Sequence, residues 1–426
     1  MKNIILPLFA FTFATFAADN WPQWRGPNGD GIAAGEKVPA TWSDTKNLQW
    51  KLKLPGSGAS SPVVWGDRVF LTCYSGYGTG GGGSTRDLMR HVVCVDAKSG
   101  KKVWQKDFAS TAGVDRYGGM GVPEHGYATG TPATDGKSVF VFFGSSGLLA
   151  LDLAGKKLWQ TDVGKNTSRK RWGSAASPVV HGDFIYLNAL REGHKIFALN
   201  KATGKVVWSW GPNQYDFYQD TYGNPALVKT ESGTELVLAV NYQVWAFDAA
   251  KGGIKWFADT DVGGSNISPS ILATGGRLFA FGGRPASGAA LRAGGKDDVS
   301  KTHVDWASSR SPYVPSPVHH AGHLYWMDRS GYAICLSAKT GKEVFRERLK
   351  STGRAPQFYA SPVLVDGKVI SVSRNAGAFV IEAKPKFNQL TQNTFASDRS
   401  VFNASPAIAK GRIFLRSDTH LYCVGE

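Results

Sequence analysis

The pattern of apolar and polar positions in this chain repeats. From Ser61 it reads small residue and proline (Ser61-Pro62), an apolar pair (Val63-Val64), a tight glycine turn (Gly66-Asp67) and an apolar strand from Val69. A second apolar strand follows, then a turn through Asp96, Gly100 and Lys101 that closes on Trp104. Short apolar runs bounded by Gly, Pro and Asp predict strands. The opening half recurs at Pro62, Pro132, Pro178, Pro225, Pro269, Pro317, Pro362 and Pro406, at intervals of 70, 46, 47, 44, 48, 45 and 44 residues. Eight units of ~45 residues with four strands each predict an all-β, eight-bladed β-propeller.

The closing half recurs at 96–104, 152–159, 200–208, 248–256 and 337–345. Each has a glycine where a tight turn needs positive φ, and an aromatic residue opening the next strand. Trp50, Trp104, Trp159, Trp208 and Trp256 are therefore predicted to be structural rings packed between blades, each contributing a few kcal/mol at most. The eighth unit stops after Cys423-Val424 without its tryptophan strand, and residues 47–54 carry that strand, with Trp50, near the other end of the chain. The ring is thus expected to be closed by an N-terminal strand, giving one propeller over 47–426 with 19–46 as an N-terminal extension.

Residues 1–18 open with Lys2 and run apolar to Ala17-Ala18, the pattern of a cleavable signal peptide too short to span a bilayer. No cysteine precedes Cys73, so no lipid-attachment site is expected. The mature protein is expected in the periplasm or outside the cell, not membrane-spanning, and a monomer. Four cysteines in 426 residues exclude a disulfide scaffold. Cys94, Cys335 and Cys423 fall in the slot held elsewhere by Ala150, Ala198 and Ala246, where a small buried residue is wanted. Cys73, one strand earlier, leaves a Cys73–Cys94 bridge open.

Charge changes the picture next. The chain carries 49 Lys+Arg against 33 Asp+Glu, a net +16. Secretion argues against nucleic acid as the partner. The long segments (74–90, 110–126, 164–173, 211–223, 282–298, 350–358 and 391–403) fall at second-to-third-strand or blade-to-blade positions, on one face of a propeller. Arg191, Arg284, Arg329, Arg374 and Arg416 each follow a second strand, and Arg169 and Arg171 sit on one blade-to-blade segment. Two readings follow: guanidinium groups converging on the channel mouth for an anionic ligand or acidic partner surface, or arginines bonding loop carbonyls and blade edges. Tyr215, Tyr218 and Tyr222, interleaved with acids, suit a sugar face, a bound cation or a self-packed lid, and His125 beside Glu124 is a candidate acid–base pair. No catalytic residue and no metal site is assigned, and Gly-x-Ser-x-Gly, His-Glu-x-x-His and Cys-x-x-Cys motifs do not occur.

The units 150–159 and 198–208 resemble the tryptophan-docking repeat of the quinoprotein propellers over essentially all of 45–426, and the entry Trp21-Pro22-Gln23-Trp24-Arg25-Gly26-Pro27 resembles the start of secreted members. That superfamily includes dehydrogenases dependent on pyrroloquinoline quinone (PQQ) and the non-enzymatic BamB-like scaffolds. The resemblance implies the fold. The dehydrogenases' adjacent cysteine pair, calcium ligands and catalytic aspartate find no match here, and neither does the lipid-anchoring cysteine of BamB. The expectation is a non-catalytic binding or scaffold propeller without a cofactor, engaging a protein partner or an anionic small molecule or glycan at its loop face. The alternatives are a quinoprotein oxidoreductase holding PQQ with calcium, and a propeller that binds or degrades acidic polysaccharide.

Overall fold

The computed structural model describes residues 19–426 apart from 112, 168–169, 214–217 and 219. Residues 1–18, expected to be a signal peptide, and Arg169 and Tyr215 therefore lie outside the described residues. Eight sheets, each with four antiparallel strands, form an eight-bladed propeller, and two of them carry a fifth, two-residue parallel strand, Ile32–Ala33 and Asp297–Asp298. Blade 1 is Val63–Trp65, Arg68–Ser75, Met89–Asp96 and Lys102–Ala109 from the channel outward. Blades 2 to 7 span 133–161, 179–210, 226–259, 272–308, 318–348 and 363–393. Blade 8 has Ala407–Ala409, Arg412–Arg416 and His420–Val424 from the end of the chain, and Leu48–Lys53 as its outer strand. Trp50 stands opposite Cys423, so the N-terminal strand closes the ring.

Tryptophan docking has a plain steric cause. The indole N–H of Trp50, Trp104, Trp159 and Trp208 donates to a carbonyl in the next blade's turn, that of Ala97, Leu153, Lys201 and Ala249, at 2.9–3.1 Å. The ring then lies against the turn glycine. A Cβ on Gly252, already at φ +82°, would stand 2.4 Å from the Trp208 ring. Only glycine meets both demands. Trp256 departs from the rule and donates to the buried Glu235 carboxylate at 2.9 Å. Trp306 is a further docking ring, bonded to the Ala338 carbonyl and hidden in the sequence by an enlarged turn at 293–303. That turn lies on the face opposite the other long loops, so this part of the 282–298 segment belongs to the short-turn face.

The residue opposite each ring is small: Cys94, Ala150, Ala198, Ala246, Ala290 and Cys423 face tryptophan, and Cys335 faces Phe345. All four cysteines are buried free thiols. Cys73 pairs with His91 and Cys94 with Phe70, so the two thiols are offset along their strands rather than bridged.

A closed ring of hydrogen bonds joins the innermost strands. The backbone N–H of Ser61 donates to Thr131 Oγ1, Thr131 to Ser177 Oγ, Ser177 to Asn224 Oδ1 and Asn224 to Ser270 Oγ. Ser270 then donates to Ser316, Ser316 to Ser361, Ser361 to Ser405, and Ser405 back to Ser61. These bonds are 2.7–3.1 Å long, and all eight residues are buried. In blade 5 the ring residue is Ser270, followed by Ile271. The sequence match at Pro269 is two residues out of register, and correcting it evens the flanking intervals.

The N-terminal extension is a finger inserted up the channel from the short-turn face. Trp21 pairs with Val64, the Pro22 carbonyl accepts from Thr134, and Gln23 Oε1 accepts from Val180. The chain turns at Trp24–Gly26. A Cβ on Gly26 would meet the Trp21 ring at 2.9 Å. Arg25, 2% exposed, donates to the Ser316 and Pro317 carbonyls. Descending, Ile32–Ala33 pair parallel with Leu364 and Val365, and Glu36 accepts from Lys410 and Gly411. Trp21 and Trp42 join the apolar core that spans blades 7, 8 and 1.

Deleting residues 19–46 while keeping the outer strand at 48–53 should lower the melting temperature by at least ~5 °C, because buried indoles and interblade hydrogen bonds are lost. An unchanged melting temperature would show that the finger is not part of the folded ring.

Candidate functional site

Above the finger, on the long-loop face, the channel opens as a cup of about 250 Å³. Trp24 is its floor and also roofs a second cavity of about 240 Å³ beneath. At the base stand ring residues Ser61, Thr131, Ser177, Asn224, Ser270, Ser361 and Ser405. Each ring oxygen already accepts a backbone N–H. The six hydroxyl protons donate to no group among the described residues. The base of the cup therefore presents hydrogen-bond donors. The walls carry Trp172 stacked on Tyr222 (centroids 6.1 Å apart), Tyr313 and Tyr359.

The candidate arginines divide by environment. Arg191 is 5% exposed and bound to Asp115 and to Glu192 at 3.0 Å. Arg416 is 1% exposed and donates to the Ser60 carbonyl at 3.0 Å and Ser60 Oγ at 2.7 Å, joining blade 8 to blade 1. Their charges are spent inside the ring body. Arg374 reaches the rim but pairs with Glu124 and stacks on Tyr359, 4.3 Å from the ring centroid. Arg284 and Arg329 are different. Both are exposed on the cup wall and both lie against Tyr313, at 4.9 and 5.1 Å. Neither guanidinium has a hydrogen bond or ion pair among the described residues. Arg171 is exposed on its loop, outside the cup lining. Tyr218 packs edge-on against Trp245 and bonds Gln243, away from the cup, whereas Tyr222 lines it.

His125 lines the cup with both nitrogens engaged. Nε2 lies 2.6 Å from the Trp172 carbonyl, which can only accept, so Nε2 carries the proton. Nδ1, also at 2.6 Å, then accepts from the Thr129 hydroxyl. Burial lowers its pKa from 6.5 to about 4. A neutral imidazole with no free nitrogen cannot take a proton from a ligand. Among the described residues Glu124 is the one carboxylate on the cup wall, and it is held by Arg374. Among the described residues no three acidic, histidine or cysteine side chains converge. Calcium also takes amide and carbonyl oxygens, and a quinone dehydrogenase needs a base; among the described residues the cup offers one carboxylate, that of Glu124, and no imidazole nitrogen free to act as that base.

Sequence reasoning missed Trp24, Trp172, Tyr313, Tyr359 and the hydroxyl ring. The ring was readable as a Ser, Thr or Asn before proline in seven units. The finger residue Trp24 carried no signal of its place at the cup floor beyond the entry motif 21–27, because the repeat gives no partner for residues 19–46.

The family model for outer membrane protein assembly factor BamB matches residues 43–280 and 289–385, well over half of the chain, which belongs to that family. No curated protein sequence matches. Among solved structures, BamB from Moraxella catarrhalis superposes with a TM-score of 0.58 at 13% identity, over 89% of this chain and 99% of that one. Quinohemoprotein alcohol dehydrogenase ADHIIG from Pseudomonas putida HK5 does so at 0.51 and 12%, over 86% and 76%. A computationally designed protein, Ika8, gives 0.56 and 10%, over 88% and 98%. At these identities the likenesses establish the propeller fold.

The His125 environment makes a pH prediction. Its lowered folded-state pKa contributes stability that is full above pH 6.5 and is lost as pH falls toward 4, since the unfolded chain then binds the extra proton. In His125→Gln that part of the acid destabilisation should vanish. The gap in melting temperature between wild type and variant should narrow from about pH 7.5 to about pH 4.5. Parallel profiles would contradict a neutral, buried His125.

Proposed function

From this family membership we propose that the chain is an exported, non-catalytic binding propeller that takes an anionic group of a ligand or protein partner into the cup on its loop face. The observation that carries the reading is the pair Arg284 and Arg329. Two guanidinium groups flank one tyrosine with no counter-charge, over a cup whose base offers donors. An anion replaces the missing counter-charge, and the partly enclosed cup strengthens that attraction relative to open solvent. The absence of a catalytic role is supported by His125 and Glu124, both tied to protein partners.

Export rests on the leader pattern at 1–18. Among the described residues no helix is long and apolar enough to cross a membrane. The quinone reading, kept because dehydrogenases share the fold, enters the test as one ligand.

Tryptophan fluorescence of Trp24 and Trp172 reports on the cup. Titration with citrate, D-galacturonate, tri-glutamate and PQQ should give saturable binding of at least one carboxylate. Arg284→Ala/Arg329→Ala should weaken it at least about tenfold, equivalent to about 1.4 kcal/mol, at unchanged melting temperature. Equal binding by the double variant, or no binding of any of the four, would overturn the reading. PQQ binding that turns over an alcohol would replace it with the oxidoreductase.

A further inference from the structure

We propose that the cup is a site for a uronic acid, a sugar ring bearing one carboxylate. This rests on the anion-binding reading above and names its ligand.

At the rim, Arg284 and Arg329 lie against Tyr313 and lack a counter-charge. A carboxylate satisfies them, with the planar fork favouring two parallel hydrogen bonds. At the base, six hydroxyl protons and the Asn224 side-chain amide point to a ligand rich in acceptor oxygens. Peptide segments carry as many N–H donors as acceptors and fit such a base poorly. Sugar hydroxyls accept there and still have a proton to give.

One acceptor without a partner stands at the cup wall. Asn403 lines the cup, its Nδ2 donates to the Glu124 carbonyl at 2.7 Å, and its Oδ1 is buried without a partner. A buried acceptor left alone costs about 1–3 kcal/mol, and a ligand hydroxyl recovers that where the enclosed Asn403 amide turns toward the cup. An aromatic acid such as a quinone tricarboxylate meets the arginines but brings few hydroxyl donors for Asn403. The apolar demand is met by the C–H face of a pyranose, which packs on Trp24 below or on Tyr313 and Tyr359 at the side. Size agrees: a volume of about 250 Å³ is below the range of drug-sized pockets and suits a single sugar ring, with the open side free for a chain to continue.

Calorimetry on the mature protein tests this with D-galacturonic acid, its linear trimer, D-galactose, citrate and tri-glutamate. Galacturonate should bind one to one with a Kd of about 1 mM or tighter, and at least about tenfold more tightly than galactose, citrate or tri-glutamate. Arg284→Ala/Arg329→Ala should remove the preference over galactose. Arg284→Lys/Arg329→Lys, which keeps charge but loses the fork, should retain part of it. Trimer binding at least as tight as monomer assigns the end of an acidic glycan, and monomer binding alone assigns a free sugar acid. Both outcomes support the site. No galacturonate binding up to ~20 mM, or tighter binding of citrate or tri-glutamate, overturns the uronic-acid assignment. If those other anions still bind through Arg284 and Arg329, the anion reading survives without it.

Discussion

The hydrogen-bond ring from Ser61 round to Ser405 is the constraint on which the rest of this molecule depends. A propeller brings eight strand starts to one axis, where their backbone N–H groups are buried and out of reach of a fourfold-flat sheet partner. Each must find an acceptor or cost about 1–3 kcal/mol. Here each finds the side chain of the next blade's equivalent residue. The proline that usually follows has no N–H to satisfy and holds the preceding residue extended, which keeps the geometry the same from blade to blade. The last bond, Ser405 to Ser61, exists only if the blade count is right. The same bonds orient the hydroxyl protons, so the device that closes the fold also sets the chemistry of the cup's base.

The N-terminal segment 19–53 works at two radii. Its outer strand, Leu48–Lys53, completes blade 8 at the periphery. Its finger fills the axis, tying blades 1, 2 and 3 on the way up and blades 6, 7 and 8 at the tip and on the way down. Trp24 at the tip turns an open channel into a cup, and Arg25 spends its charge on carbonyls rather than on a ligand. The floor of the cup and the closure of the fold are thus supplied by one segment. A sequence change at 21–31 acts on both.

Much of the fold was legible because repetition exposes it. Ser-Pro spacing located the blades, the Trp–Gly pairing located the turns, and Cys94, Cys335 and Cys423 are the small buried residues their slot called for. Blade 5 resisted, and for a local reason. Its turn at 293–303 is enlarged, which hid Trp306, and Ile271 stands where proline stands elsewhere, which drew the match to Pro269. The site was less legible. Arginine after a second strand means a rim cation in blades 5 and 6 and a buried cross-link in blades 3 and 8. Sequence position alone does not separate Arg284 from Arg191, since the difference is made by Asp115 and Glu192, the first of them on a loop from another blade.

Native-state amide hydrogen exchange tests the central claim most directly. If the ring is the cooperative closure of the fold, the N–H groups of Ser61, Thr131, Ser177, Asn224, Ser270, Ser316, Ser361 and Ser405 should exchange together, with the free energy of global unfolding. Exchange of one or more of them through low-energy local opening, while the strands around them stay protected, would contradict it.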